Sequence, residues 1–214
     1  ALKEPCTVKR QVSKFVKMSL PPSIRATWHR LPLSQKAKLP RSSHNLYLSP
    51  TGNQLSIFGG EIKPRQPVDA ALHSISPLPL ADANAAGTEE LNWTSQEAEA
   101  DGQGPAARVG ACSCKDSQGI WYIWSGRGGK DMAPLAYSTD ENHPEDLWKW
   151  SPATGAWTSV QTRGQKPETR SYATMTFAHA ARKMFVHAGC PASGRLGTLH
   201  QLDLETMAWS DCPD

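Results

Sequence analysis

Three times along this chain an arginine stands ahead of a short apolar run. A doublet of small residues follows each time, then a second apolar stretch, then a tryptophan. The copies are Arg41 … Gly59-Gly60 … Leu72 … Trp93, then Arg108 … Ser125-Gly126 … Leu147 … Trp157, then Arg170 … Ala188-Gly189 … Leu199 … Trp209. A repeat with a period of roughly 50 residues constrains the fold more than any single motif. Each copy must be one supersecondary unit that buries its apolar face only against its neighbours. The chain therefore reads as one quasi-modular body.

Each copy has the grammar of a hairpin and its sequel. Apolar runs at 44–48, 111–114 and 173–177 are followed by turn-rich stretches at 50–53, 115–119 and 179–182. Second runs at 55–58, 120–124 and 183–187 end at the doublet. Two β-rich runs around turn residues predict a hairpin. Glycine in the doublet admits backbone conformations and close approaches that a Cβ forbids. Third strands are predicted at 71–75, 147–150 and 199–202, and the tryptophan opens a fourth, as at 156–160. Four antiparallel strands repeated at this period form the blade of a β-propeller, so the fold class is all-β. Polar insertions fall at 127–145 and, in the first copy, at 77–90, as surface loops should.

Composition agrees. Seventeen prolines and 16 glycines supply the turns, and three of the eight tryptophans fall at the repeat position. No run approaches the roughly 18 apolar residues of a membrane span. A formal net charge of +3 is too mild to imply nucleic acid. The basic excess gathers at the front, where residues 1–26 carry no repeat and are expected to be a disordered leader; Met18 marks the expected natural start. Five cysteines without framework spacing, and no secretory apolar segment, point to free thiols in the cytoplasm. On that ground the sequon Asn92-Trp93-Thr94 carries no weight.

The arrangement resembles the kelch repeat in its glycine doublet, its "Leu-Trp-Lys-Trp" or "Leu-His-Gln-Leu-Asp" strand and its spaced tryptophan. Residues 145–157 are close to the kelch third strand, turn and fourth strand. Within kelch proteins, Arg41-Ser42-Ser43-His44, residues 59–69 and Ala107-Arg108-Val109-Gly110 resemble the nitrile-specifier and epithiospecifier branch. The resemblance covers about residues 27–212, with blades at about 41–97, 105–161 and 167–212. Three blades do not close a ring, which typically needs four to eight. Residues 27–32 read as an orphan closing strand, and the whole as the first half of a six-bladed propeller. Such a half is either truncated or completed by a second copy in a homodimer.

Candidate chemistry follows the repeat. Arg41, Arg108 and Arg170 hold one equivalent position. Converging on a channel, they would suit a carboxylate, sulfate or phosphate through forked hydrogen bonds; the alternative is that each braces neighbouring loop carbonyls. Specifier proteins, by the resemblance, use arginines here against a sulfate-bearing substrate. Glu61 and Arg65, in a proline-bounded loop with Asp69, form either an intraloop ion pair or a polar rim to the channel. No metal site is expected: Cys112 and Cys114 are too few for zinc. The Glu-x-x-x-Asp-x-x-x-His series that the specifier resemblance implies for ferrous iron is absent; Glu97 and Asp101 are followed by Pro105. Residues 126–131 lack the spacing of a phosphate loop. His73 and His200 share one strand slot and read as blade packing. The leading expectation is a binding scaffold that recognises a protein partner through propeller loops, without a cofactor and without established catalysis. The alternative is a specifier-like protein, dependent on Fe(II), acting on glucosinolate breakdown intermediates, with its iron-binding half absent.

Overall fold

The computed structural model describes residues 40–76, 78, 91–97, 104–135 and 147–212, all inside the compact unit Leu31–Asp214. The leader, the strand expected at 27–32 and much of both insertions lie outside the described residues. In β1 (Asn45–Leu48) burial alternates, with Asn45 and Tyr47 in and Leu46 and Leu48 out. That is the period-2 signature of a strand with two unlike faces. β2 (Leu55–Phe58) pairs with β1. A small hairpin of β3 (Glu61–Lys63) and β4 (Gln66–Pro67) then precedes β5 (Ala71–Ile75) and β6 (Thr94–Glu97). The sheet order is β1-β2-β5-β6, all antiparallel.

The second blade repeats the plan. β8 (Cys112–Lys115), β9 (Trp121–Trp124), β12 (Leu147–Ser151) and β13 (Ala156–Val160) form its four-stranded sheet. Beside it, β7 (Arg108–Val109), β10 (Arg127–Gly128) and β11 (Ala133–Pro134) make a three-stranded patch, so part of the expected polar loop is paired backbone. The third blade comprises β15 (Thr174–Ala178), β16 (Lys183–His187), β17 (Leu199–Asp203) and β18 (Ala208–Asp211). The linker strand β14 (Arg163–Gly164) adds in parallel to β18 and covers its outer edge. The strands lie within a residue of the positions read from the sequence.

Register aligns the blades residue by residue. Phe58, Trp124 and His187 close the second strands and stand opposite Leu72, Leu147 and Leu199. One step back, Ile57, Ile123 and Val186 face His73, Trp148 and His200. On the fourth strand Trp157 pairs with Trp150 and Trp209 with Leu202. Trp93 stands one residue ahead of β6, the equivalent place, but only half-buried.

The core sits between blades. One cluster packs Tyr47, Phe58, Ala70 and Leu72 of the first blade against Trp121, Ile123, Trp148, Trp150 and Trp157 of the second. Another packs Cys112, Tyr122, Trp124, Leu147 and Val160 against Met175, Met184, Val186, Leu202 and Trp209 of the third. Tyr47 shows how a seam is keyed. Its ring lies 5.4 Å from Trp121 and 5.3 Å from Trp150, the latter edge-on, while its hydroxyl donates to the Gly119 carbonyl at 2.9 Å. An aromatic body and a satisfied polar tip together suit a buried seam.

The doublet's tolerance also has a cause. Both of its residues are left-handed in every blade: Gly59 and Gly60, Ser125 and Gly126, Ala188 and Gly189. The first accepts Ser or Ala at φ of 53° and 58°, whereas the second reaches 96–110° and is always glycine. A Cβ at Gly60 would lie 2.5 Å from the Ser42 carbonyl oxygen. Only the second glycine is obligatory in all three copies.

Candidate functional site

The repeated arginines are interior. Arg108 is 2% exposed and Arg170 1%. Arg108 donates from Nε to the Ala106 carbonyl at 2.9 Å and from Nη1 to the Ser125 carbonyl at 3.1 Å. Arg170 repeats this with Glu168 at 2.7 Å and Ala188 at 3.2 Å, and adds the Thr198 hydroxyl at 3.0 Å. Arg41 donates to the Gly59 carbonyl at 3.0 Å and grips Asp69 with both terminal nitrogens, at 3.3 and 3.2 Å. Each side chain thus holds the first doublet carbonyl of its own blade. The backbone carbonyls of Arg108 and Arg170 accept instead from the preceding blade, from Gly60 at 2.8 Å and Gly126 at 3.0 Å. A planar guanidinium presents several donors at fixed angles, which is what converging carbonyls require.

From Arg41 and Arg170 a polar relay runs outward through the strand-three histidine. In the first blade Asp69 accepts from Arg41 and lies 3.0 Å from His73 Nε2, and His73 Nδ1 lies 2.7 Å from the Ser95 hydroxyl. In the third, Thr198 links Arg170 to His200 Nε2 at 3.0 Å, and Asp211 sits 2.8 Å from His200 Nδ1. Carboxylate and hydroxyl exchange places around the same histidine slot. The second blade has Trp148 there. His73 does more than pack, since it ties Asp69 to Ser95 of the outermost strand; His200 bonds Thr198 and lies beside Asp211 without a hydrogen bond to it.

Burial alone would raise the Asp69 pKa, but the hydrogen bonds and charges of Arg41 and His73 outweigh it and hold the carboxyl below its ordinary value. A depressed folded-state pKa contributes stability above the unfolded value, and that contribution is lost as pH falls through the folded one. The loss from this group should therefore begin near pH 3.8 and continue below it. Melting midpoints of wild type and Asp69→Asn between pH 7 and pH 3 check it. The wild-type advantage should shrink only in acid; a gap constant across the range would remove Asp69 from the acid response.

Glu61 and Arg65 lie on the β3–β4 hairpin. The Glu61 carboxylate accepts from the Arg65 backbone N–H at 2.7 Å, while the Arg65 guanidinium reaches the Asp131 carbonyl of the next blade's loop at 3.5 Å. Asp69, expected to share that loop's ion pairing, is committed inward to Arg41 and His73. Arg127, at the register position of Glu61 and Cys190, was not singled out from sequence. It donates to Ser171 at 2.9 Å and Met132 at 3.2 Å, and reaches the carbonyls of Cys190 and Pro191 in the third blade. Its one sequence signal was its place directly after a doublet glycine. Through Arg65 and Arg127 the segments after the three doublets form a continuous rim. It exposes Lys63, Arg65, Lys130 and Arg195 with Asp131, and an Ile62 side chain 60% accessible.

Cys112 and Cys114 are held in the thiol form. Burial pushes Cys112 upward, and burial followed by the charge of Asp116 pushes Cys114 up to about 12. Among the described residues no group of three His, Cys, Asp or Glu could hold a metal ion.

Antiparallel four-stranded blades packed face to face, each with its doublet and buried arginine, define a kelch-type β-propeller. The family model for the KLHDC2/KLHL20/DRC7 Kelch-repeats domain matches residues 11–213, and the chain belongs to that family. The match begins inside the segment set apart above as a leader. Acyl-CoA-binding domain-containing protein 6 of Oryza sativa subsp. japonica is similar, with 25% identity over 195 residues, covering 88% of this chain and 26% of that protein. The solved structure of YjhT superposes with a TM-score of 0.56 at 16% identity, covering 86% of this chain and 54% of that one. The chain thus spans about a quarter of the curated relative and about half of the structural one. The kelch reading is borne out; the specifier branch gains no support from these comparisons.

Proposed function

We propose that this domain is an interaction module that recognises a protein partner through the rim of segments following the doublets. The observation that carries the reading is a division of labour among like residues. Arg41, Arg108, Arg127 and Arg170 spend their donors on backbone and buried partners. Lys63, Arg65, Lys130 and Arg195 stay exposed on the segments after the doublets, as does Ile62. Loops displayed on a rigid scaffold are where propellers place recognition. Exposed cations on the same rim as an exposed apolar side chain favour an acidic segment with an apolar anchor, since charge complementarity steers encounter while apolar burial supplies affinity. The three repeat arginines serve this reading as braces that fix the rim, and Glu61 fixes the hairpin by capping the Arg65 amide.

A display library of random peptides panned against the wild-type chain and against the triple variant Lys63→Glu, Arg65→Glu, Lys130→Glu provides the test. Wild type should enrich acidic peptides, with binding that weakens as salt rises. The variant should lose them at an unchanged melting midpoint. Equal enrichment by both proteins would defeat the rim as the recognition surface.

A further inference from the structure

The two seams between blades are filled differently at the end away from the doublets. Register makes Ser56, Ser74 and Gln96 of the first blade the equivalents of Tyr122, Lys149 and Val160 of the second. In the second seam Tyr122 and Val160 are buried in the apolar cluster. In the first, serines stand at two of these three places, and a cavity of about 250 Å³ opens between the blades. Gln54, Ser74, Thr94 and Gln96 line it from the first blade, and Trp150 and Pro152 from the second.

The protein's own hydrogen bonds use only part of this lining. The Ser74 hydroxyl pairs with that of Ser56 at 2.7 Å, and Thr94 donates to the Ser74 carbonyl at 3.2 Å. The Gln54 amide nitrogen donates to Ser56 at 3.3 Å, and that of Gln96 crosses the seam to the Gly155 carbonyl at 2.8 Å. Each amide keeps its second N–H and its side-chain oxygen, and Thr94 its acceptor lone pairs, without a protein partner among the described residues. None of the residues lining the cavity is charged.

A charged ligand would enter this cavity without a counter-charge. An apolar one would cover the amides and hydroxyls without replacing their hydrogen bonds to water. A ring bearing several hydroxyls does neither, because each hydroxyl both donates and accepts and can meet an amide N–H and a side-chain oxygen together. The volume, below the roughly 300–1,000 Å³ of drug-sized sites, suits one such ring. We propose that the cavity binds one neutral polyhydroxylated ring, a monosaccharide unit or a cyclitol, free or at the end of a glycan. The site shares no residue with the rim, so it stands or falls independently of the partner reading.

Saturation-transfer NMR of the 214-residue chain with D-glucose, D-galactose, D-mannose, N-acetyl-D-glucosamine and myo-inositol tests it. At least one should bind saturably, with a dissociation constant below about 10 mM. Gln54→Leu and Thr94→Val should each raise that constant at least fivefold while the melting midpoint holds. The rim variant Lys63→Glu, Arg65→Glu, Lys130→Glu should bind the ring as the wild type does. Where a sugar binds, its methyl glycoside identifies the source: equal affinity supports a glycan terminus, and loss of binding supports the free sugar. No binding by any member of the panel at about 100 mM would overturn the proposal. So would binding that the two substitutions leave unchanged, or binding of acetamide alone, which would give the cavity to an amide side chain of a protein.

Discussion

Replacing Arg108 by methionine should lower stability by about 2–4 kcal/mol, since hydrogen bonds from a charged donor contribute roughly 1.5–3 kcal/mol each and one buried and one partly buried carbonyl lose theirs. Methionine fills most of the volume, so the loss reports the hydrogen bonds more than a cavity. For a domain of this size that corresponds to a melting midpoint lower by roughly 5–15 °C. Arg108→Lys should fall between, because an ammonium cannot reach the Ala106 and Ser125 carbonyls in one planar fork. Arg65→Met, at an exposed site, should stay within about 0.5 kcal/mol of wild type. A melting midpoint for Arg108→Met within a degree or two of wild type would sink the bracing role. Sulfate binding by the wild type, lost in that variant, would then restore the anion reading.

How far the sequence could be read depends on which physical signal each feature leaves. The strands were legible because alternation and turn residues are local, and because three copies average out noise in any one. The exception is instructive. β14 adds to the third blade from the linker and the β7–β10–β11 patch pairs inside the second blade's insertion, and a two-residue strand has no period to detect. The equivalence of Arg41, Arg108 and Arg170 was visible, but their direction was not. An arginine on a channel and one folded back on its own doublet have the same neighbours in sequence. The relay through His73 and His200 was half-legible, since the shared slot shows in register while Asp69, Ser95, Thr198 and Asp211 occupy different places in it. Function moved between residue types there, which no fixed motif can capture. Arg127 stayed hidden for the opposite reason: its blade equivalents are Glu61 and Cys190, so the position bears no common chemistry.

Truncating Trp209 to alanine should lower stability by about 3–5 kcal/mol, the range for emptying a buried aromatic site. The residue is buried against Trp124, with ring centroids 5.9 Å apart, in the cluster that joins the second blade to the third. Trp157→Ala should lose a similar amount, because that ring sits 5.2 Å from Phe58 and 6.0 Å from Trp121 in the other seam. Trp93→Ala, at a half-buried site before β6, should lose less than half as much. Phenylalanine separates packing from hydrogen bonding. The Trp209 indole donates to the Thr162 hydroxyl at 3.1 Å, whereas the buried Trp157 N–H has no acceptor among the described residues. Trp209→Phe should therefore lose about 1 kcal/mol more than Trp157→Phe, the ordinary net worth of one intramolecular hydrogen bond. Denaturant titrations of the five variants decide it. Equal losses at all three alanine sites would mean that register, not burial, sets the value of the repeated tryptophan. A Trp93 loss matching Trp209 would place a seam on the far face of the first blade as tight as the two described.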